Sequence, residues 1–259
     1  MIVPGSLPLP GIRVFAFVLL FLCSPLVKSQ DGIHIDKIEG GDWLRFYLDQ
    51  TSIKRGFVNG REYYDYYFRS MHSPILRDDE PRTAILTFRG RTYNNLDLQY
   101  DTYTDEVVYA YDSLILGDKF RKVSLNKYDV DRFDLCFRKD TMHFMYLSTE
   151  IDSSFSLNDG FYEIAHDSKT KFIIRHVSVK YTILDSPGTY AIDDYQYKPV
   201  NYINTGDGYQ KITSRKQFVR LFNSSSSQIS RFLRTNRINI RKADKRQISV
   251  VLNYYEQLN

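Results

Sequence analysis

The sequence lacks the residue patterns that identify most enzymes. It contains no Gly-x-Ser-x-Gly elbow, no Gly-x-x-x-x-Gly-Lys phosphate loop and no Gly-x-Gly-x-x-Gly turn. Its five histidines lie far apart and in no metal-ligand spacing. The common signatures of hydrolases and nucleotide enzymes are therefore absent. We predict no catalytic residue, no cofactor-binding residue and no cofactor.

The nearest approach to a metal motif is a group of three aspartates. Asp129, Asp131 and Asp134 offer oxygens at nearly the spacing of a calcium loop. The glycine of the sharp turn and the distal glutamate of such a loop are both missing. The same residues fit the approach to a β-strand equally well, and we predict no metal site.

Long apolar runs are scarce as well. Residues 14–23 are ten apolar residues that follow Arg13, whereas a membrane-spanning helix needs roughly 20. The run is typical of a signal peptide, and we expect residues 1–29 to be removed by cleavage between Ser29 and Gln30. Lipid attachment at Cys23 is the alternative, but no small residue precedes that cysteine. The sequence predicts export without a membrane span in the mature chain.

Cysteine is limited to Cys23 and Cys136. Cleavage after Ser29 would leave Cys136 alone, so an internal disulfide would be impossible in the mature chain. A chain of about 230 residues buries enough surface to fold without one. Cys136 stands between Leu135 and Phe137, which predicts a buried core position.

Aromatic residues are plentiful, with 21 Tyr and 17 Phe, and this composition favours pleated, half-buried surfaces. Alternating patterns and short turns predict an antiparallel meander. The meander could form a curved sheet, a sandwich or an open barrel. The candidate strands are 83–89, 93–100, 106–111, 120–125, 132–137, 143–147, 161–167, 171–179 and 190–197, with weaker edge candidates at 43–48 and 62–68.

The pattern changes to helical spacing beyond residue 213. Ser214 can cap a first helix, the serine run 224–227 a second, and Asp244 stands near the start of a third. A flexible linker is the alternative for the serine run. The predicted fold class is α+β, mainly β, with a β-rich body at 30–212 and about three C-terminal helices at 213–259 that pack on it.

Charge divides at the same boundary. Residues 211–246 contain eleven Lys or Arg and one acid, whereas residues 30–210 contain 22 basic and 29 acidic residues. An acidic body that pairs with a basic helical segment is the interpretation we favour. A surface for anionic lipid headgroups or polysaccharide is the alternative. The predicted export argues against a nucleic-acid partner.

Five short segments resemble an uncharacterised family of exported proteins from Bacteroidetes bacteria. They are 59–63 (NGREY), 86–93 (LTFRGRTY), 98–101 (LQYD), 160–163 (GFYE) and 253–258 (NYYEQL). The resemblance implies a Gram-negative periplasm or cell surface, and it brings no activity or site residue with it. Its charged and aromatic matches look like turn and sheet positions.

These observations favour a non-enzymatic binding or assembly module of the cell envelope. Its partner could be an envelope lipid, a polysaccharide or another envelope protein. A carrier of an apolar ligand in a half-barrel groove is one alternative. A hydrolase is another, because an acid–base pair is defined by distance in space and leaves no mark in sequence spacing.

Overall fold

A computed structural model describes residues 56–67, 69–111, 121–150, 157–184 and 191–258. The predicted signal peptide, Cys23, the Ser29–Gln30 cleavage site and the candidate strand 43–48 lie outside these residues. The described residues belong to one compact unit, and their fold is mainly β, with three helices near the C-terminus. The predicted fold class is therefore confirmed.

The described residues form thirteen strands. These are β1 (Arg61–Glu62), β2 (Arg82–Phe88), β3 (Arg91–Asp101), β4 (Glu106–Tyr111), β5 (Arg121–Ser124), β6 (Val130–Phe137), β7 (Asp140–Leu147), β8 (Gly160–Asp167), β9 (Lys171–Arg175), β10 (Ser178–Leu184), β11 (Ala191–Tyr197), β12 (Val200–Asn204) and β13 (Tyr209–Ile212). Eleven of them form one antiparallel sheet in the order β1-β5-β4-β3-β2-β6-β7-β8-β9-β12-β13, and β10 pairs with β11 in a separate ribbon.

The large sheet is strongly curved and not closed. The rings of Tyr100 on β3 and Phe161 on β8 have centroids 6.1 Å apart, although the two strands are four places apart in the sheet. At about 4.8 Å per strand, four places would span roughly 19 Å in a flat sheet. The concave face must therefore bring the two strands towards each other, and their rings fill it.

The three aspartates considered for calcium have separate structural roles. Arg89 and Gly90 form the β2–β3 turn with positive φ values of 47° and 73°, as a two-residue hairpin requires. Asp129 forms an ion pair with Arg89 at 2.9 Å, and Asp131 accepts the backbone N–H of Gly90 at 2.7 Å. Asp134 pairs with a histidine of β7. The first two carboxylates thus hold the hairpin turn.

Several strand predictions need correction. The predicted strand 171–179 is two strands, β9 and β10, separated where His176 turns its side chain into a polar cluster. Strands β12 and β13 were not predicted because their polar residues show no clear alternation. Of the described residues in the candidate 62–68, only Glu62 belongs to a strand, as the second residue of β1.

The three helices are α1 (Arg215–Arg220), α2 (Ser226–Thr235) and α3 (Lys245–Leu258). Ser214 caps α1, as predicted, by accepting the N–H of Gln217. Asp244 and Gln247 form a reciprocal capping box at the start of α3. The serine run forms a 3-10 turn and the start of α2 rather than a linker, but Ser225 makes no capping hydrogen bond there.

Two hydrophobic clusters share one face of the sheet. The first, here called the aromatic cluster, is centred on Tyr100, Phe133, Phe144 and Phe161 and lies between strands β2–β8. The second, here called the helical cluster, joins β9 and β12 to α1, α2 and α3. The helices bury apolar stripes against this part of the sheet, as their spacing predicts.

Candidate functional site

A buried glutamate separates the two clusters. Alternate residues of a strand point to the same face, so Phe161, Glu163 and Ala165 of β8 lie side by side. Phe161 belongs to the aromatic cluster and Ala165 packs against the helical cluster. Glu163 lies between them with only 1% of its surface exposed. A carboxylate at an inward position of a strand needs partners, because an unpaired buried charge is strongly unfavourable.

Lys245 is the first partner of Glu163. Its Nζ atom lies 2.6 Å from Oε1 of Glu163 and 2.9 Å from Oδ2 of Asp140. Lys245 is the first residue of α3, where the helix dipole disfavours a cation. The two carboxylates account for a lysine at this position.

His176 is the second partner. Its Nε2 lies 2.9 Å from Oε2 of Glu163, and its Nδ1 lies 2.5 Å from the hydroxyl of Tyr197. The arrangement fits an imidazole that donates from Nε2 to the carboxylate and accepts a hydrogen bond from the tyrosine hydroxyl at Nδ1. His176 is 5% exposed, whereas Tyr197 is 48% exposed. The tyrosine therefore links the buried pair to solvent.

Arg77 completes the group. It donates to Oδ2 of Asp140 at 3.2 Å, and its guanidinium lies 4.2 Å from the centre of the Phe137 ring. Its backbone has a φ of 70°, a left-handed conformation that is uncommon for residues other than glycine. We name Arg77, Asp140, Glu163, His176, Tyr197 and Lys245 the polar cluster.

The polar cluster lies along a cleft of about 1250 Å³. The loop before β2, the ribbon strand β11 and the start of α3 form its walls. Typical small-molecule sites have volumes of about 300–1,000 Å³, so this cleft is large enough for an extended ligand. Exposed residues of both charge signs and neutral polar residues line it, including His72, Arg77, Asp79, Gln196 and Tyr197.

The charges of the polar cluster are fixed by their partners. Burial opposes ionisation of Glu163, but the hydrogen bonds from His176 and Lys245 outweigh it and lower the pKa of the carboxyl. Burial also opposes ionisation of Asp140, and contacts with Lys245 and Arg77 again lower the pKa. The pKa of Lys245 is raised, because its hydrogen bonds to both carboxylates outweigh the effect of burial.

Tyr197 stays protonated for a related reason. Burial and the charge of Glu163 both raise the pKa of its hydroxyl, against a smaller opposite effect of Arg77. Proton transfer is favoured by groups whose pKa lies near the working pH. The pKa values of Glu163 and Asp140 are lowered, and those of Lys245 and Tyr197 are raised. All four shifts therefore lead away from neutral pH. The arrangement suits hydrogen bonding to a ligand better than acid–base chemistry.

Sequence reasoning missed this site because its members come from six separate segments of the chain. A detectable signal was Glu163 itself, an acid at an inward position in the apolar pattern of β8. The described residues contain no group of three His, Cys, Asp or Glu that could hold a metal ion. Cys136 on β6 is half-buried rather than a fully buried core residue.

Comparison of the chain with known protein families, with curated proteins and with solved structures gives no match. Within the part of the chain that the structure describes, no helix has the length and apolar character needed to cross a membrane. The inference about function therefore depends on the cleft and its residues.

Proposed function

We propose that the protein is an exported binding module of the cell envelope, without catalytic activity, and that the cleft binds a polar ligand. The observation that carries the proposal is the polar cluster beside the cleft. Taking ions out of water costs several kcal/mol for each ion, so a buried ion pair is weak evidence for stability. A buried cluster of titratable groups beside a cleft is instead a recognised indicator of a functional site.

The cleft favours an uncharged, hydroxyl-rich ligand such as a segment of envelope polysaccharide. The buried charges already neutralise one another, which leaves hydrogen-bonding groups for the ligand. Tyr197 and Gln196 are exposed in the cleft, and Arg77 has guanidinium donors at its surface. Donors and acceptors of this mixed kind suit sugar hydroxyls, which can act as both.

An apolar ligand is less well supported. The concave face beside strands β2–β8 is filled by its own aromatic rings, and Phe133 stacks on Phe144 with centroids 4.6 Å apart. Among the described residues this face thus offers a packed core rather than an open groove. An envelope lipid would need another surface, and a protein partner would need to contact the cleft rim.

The binding proposal is tested with neutral oligosaccharides and dipeptides. Isothermal titration would measure affinity, and NMR would follow the backbone amides of Gln196 and Tyr197. Gln196→Ala should weaken binding about fivefold, because one ligand hydrogen bond contributes roughly 1 kcal/mol. Gln210→Ala is the matched control, since Gln210 is also exposed but lies on β13 and does not line the cleft. Equal losses in both variants, or no binding by any probe, would contradict the proposal.

A hydrolase is the second candidate, and one observation favours it. Tyr197, His176 and Glu163 stand in the order hydroxyl, imidazole and carboxylate, which is the order of nucleophile, base and orienting group in covalent catalysis. The raised pKa of Tyr197 opposes this function. Mass spectrometry of the same probes after incubation should show no product. Product that disappears in Tyr197→Phe, but not in Tyr181→Phe, would establish the hydrolase instead.

A further inference from the structure

The basic segment 211–246 does not pair with the acidic sheet as the sequence favoured. Of its eleven Lys and Arg residues, only Lys245 forms an ion pair with another described residue. Arg246 donates to a backbone carbonyl of residue 139 instead. The interpretation that the basic segment neutralises the body is therefore wrong for the described residues.

The remaining nine cations of this segment all have exposed side chains. They are Lys211, Arg215, Lys216, Arg220, Arg231, Arg234, Arg237, Arg241 and Lys242. Six are arginines, whose planar guanidinium suits two-point contacts with carboxylate, sulfate or phosphate groups. So many like charges repel one another, and an anionic partner would relieve that repulsion.

Two hollows flank α1, and six of these nine cations line one or both of them. The first, of about 610 Å³, is lined by Arg234, Arg237 and Arg241. The second, of about 600 Å³, contains Arg220 beside the polar side chains Asn223, Ser226 and Ser230. Arg215 and Lys216 line both hollows. The two hollows therefore form a continuous basic path over α1.

We propose that this basic path binds a linear anionic glycan. The cations in the two hollows would contact its acidic groups, and the serine and asparagine side chains of the second hollow would bond to its hydroxyls. A path of two joined hollows fits an extended chain better than a single small ion. The path shares no lining residue with the cleft, so it is a second site and does not depend on the function proposed for the cleft.

Two other anionic partners fit the same charge less well. A membrane-binding segment inserts large apolar residues beside its basic face, but no large apolar side chain between residues 211 and 246 is exposed. Single-stranded nucleic acid is bound by stacking on aromatic side chains. The phenylalanines of this segment are buried or half-buried, which leaves no open ring for a base.

Heparin is a suitable probe because it is a linear, densely sulfated glycan, and dextran is its uncharged counterpart. Affinity would be measured by fluorescence anisotropy on the full chain at several salt concentrations. Heparin should bind, with an affinity that falls as salt rises, and dextran should not. The variant Arg234→Gln/Arg237→Gln/Arg241→Gln should lower the affinity roughly tenfold, because each exposed ion pair contributes a modest amount.

A matched control distinguishes binding in the basic path from a general effect of net charge. Lys211→Gln/Arg231→Gln/Lys242→Gln also removes three exposed cations, but none of them lines either hollow. This control should change the affinity by less than about threefold. Equal losses in the two triple variants would overturn the proposal, as would the absence of heparin binding. Tighter binding to vesicles with anionic lipid, or to single-stranded DNA, would also overturn it in favour of that partner.

Discussion

The aromatic and helical clusters cover the same face of one sheet in different ways. Between β2 and β8 the sheet curves until rings from opposite strands meet, and the face is buried by the strands' own side chains. Beside β9 and β12 the face is covered by aliphatic and aromatic residues of the three helices and of the turns between them. The curved part of the sheet therefore buries its concave face with its own side chains. The face beside β9 and β12 needs the C-terminal segment to bury it.

The polar cluster lies where these two modes of packing meet. Neither the rings nor the helices fill the boundary on β8, and Glu163 occupies it with its partners His176 and Lys245. Asp140 and Phe161 belong to strands of the aromatic cluster, whereas Lys245 begins α3 of the helical cluster. The cleft therefore depends on both clusters being in place.

The largest loss of folding stability is expected from a substitution in the aromatic cluster. Phe133 is fully buried between Tyr100, Phe144 and Phe161. Phe133→Ala should lower the free energy of unfolding by about 3–5 kcal/mol, because the cavity left by the ring cannot be refilled. Tyr128→Ala is the control, since Tyr128 is 72% exposed. Urea denaturation measures both, and similar losses would refute the ring-filled core.

The next largest loss of folding stability is expected at the boundary between the aromatic and helical clusters, where Lys245 lies. Lys245→Met leaves Glu163 buried with His176 alone and leaves Asp140 with Arg77. Removing one partner of a buried ion pair costs about 3–5 kcal/mol, and we expect about 3 kcal/mol because Lys245 is partly exposed. Arg246→Met is the adjacent control, since the exposed Arg246 forms no ion pair with a described residue. A loss below about 1 kcal/mol in Lys245→Met would show that the pair is unimportant.

A smaller effect is expected in the helical cluster. Val251 is fully buried on α3, whereas its neighbour Val250 is 52% exposed. Val251→Ala should cost about 2 kcal/mol, from two lost methyl groups and a small cavity. Val250→Ala should be nearly neutral or slightly stabilising, because alanine favours the helix. The same denaturation measurement compares the two, and equal values would contradict the packing of α3 on the sheet.

The smallest loss of folding stability is expected at Glu256, near the end of α3. Glu256 accepts hydrogen bonds from the N–H and hydroxyl of Thr170 and from the hydroxyl of Ser168. Burial opposes its ionisation, but these hydrogen bonds outweigh burial and lower the pKa to about 2. The stabilisation is thus fully present above the unfolded pKa, about 4.3, and is lost as pH falls towards 2.

Glu256→Gln should therefore cost about 1 kcal/mol at pH 7. The difference from the unsubstituted protein should shrink as pH falls from about 4.5 to 2, because protonation removes the same charge. Denaturation curves at several pH values measure it. A difference that does not change with pH would show that the charge of Glu256 has no part in holding α3.

Strands and helices could be predicted from the sequence where the apolar residues recur with a clear period. The alternation in β2 predicted its strand, and Ser214 and Asp244 predicted the starts of α1 and α3. The end of β9 could not be predicted, because the β-branched residues Val177 and Val179 continue the pattern of a strand although the backbone leaves the sheet after Arg175. Sequence patterns predicted a curved sheet, a sandwich or an open barrel but could not decide among them, since contacts such as Tyr100 with Phe161 join residues distant in sequence.

The polar cluster was harder to predict from the sequence than the fold, for the same physical reason. Lys245 is 82 residues from Glu163 in the chain, and no local pattern relates the two. Charge composition located the basic segment but did not show that Lys245 alone among its cations forms ion pairs with described residues. Pairing depends on where side chains lie in space, which the sequence does not state.

The central claim is that the polar cluster is present for ligand binding rather than for stability, and one measurement tests it directly. Glu163→Met/His176→Phe/Lys245→Met replaces the buried ionic groups together by apolar side chains of similar size. Replacing a whole buried ionic group in this way is often neutral or stabilising by about 1–4 kcal/mol, unlike removal of one partner. The account predicts that the free energy of unfolding of this variant equals or exceeds that of the unsubstituted protein. A loss of more than about 3 kcal/mol would show that the cluster is a structural element, and would contradict the account.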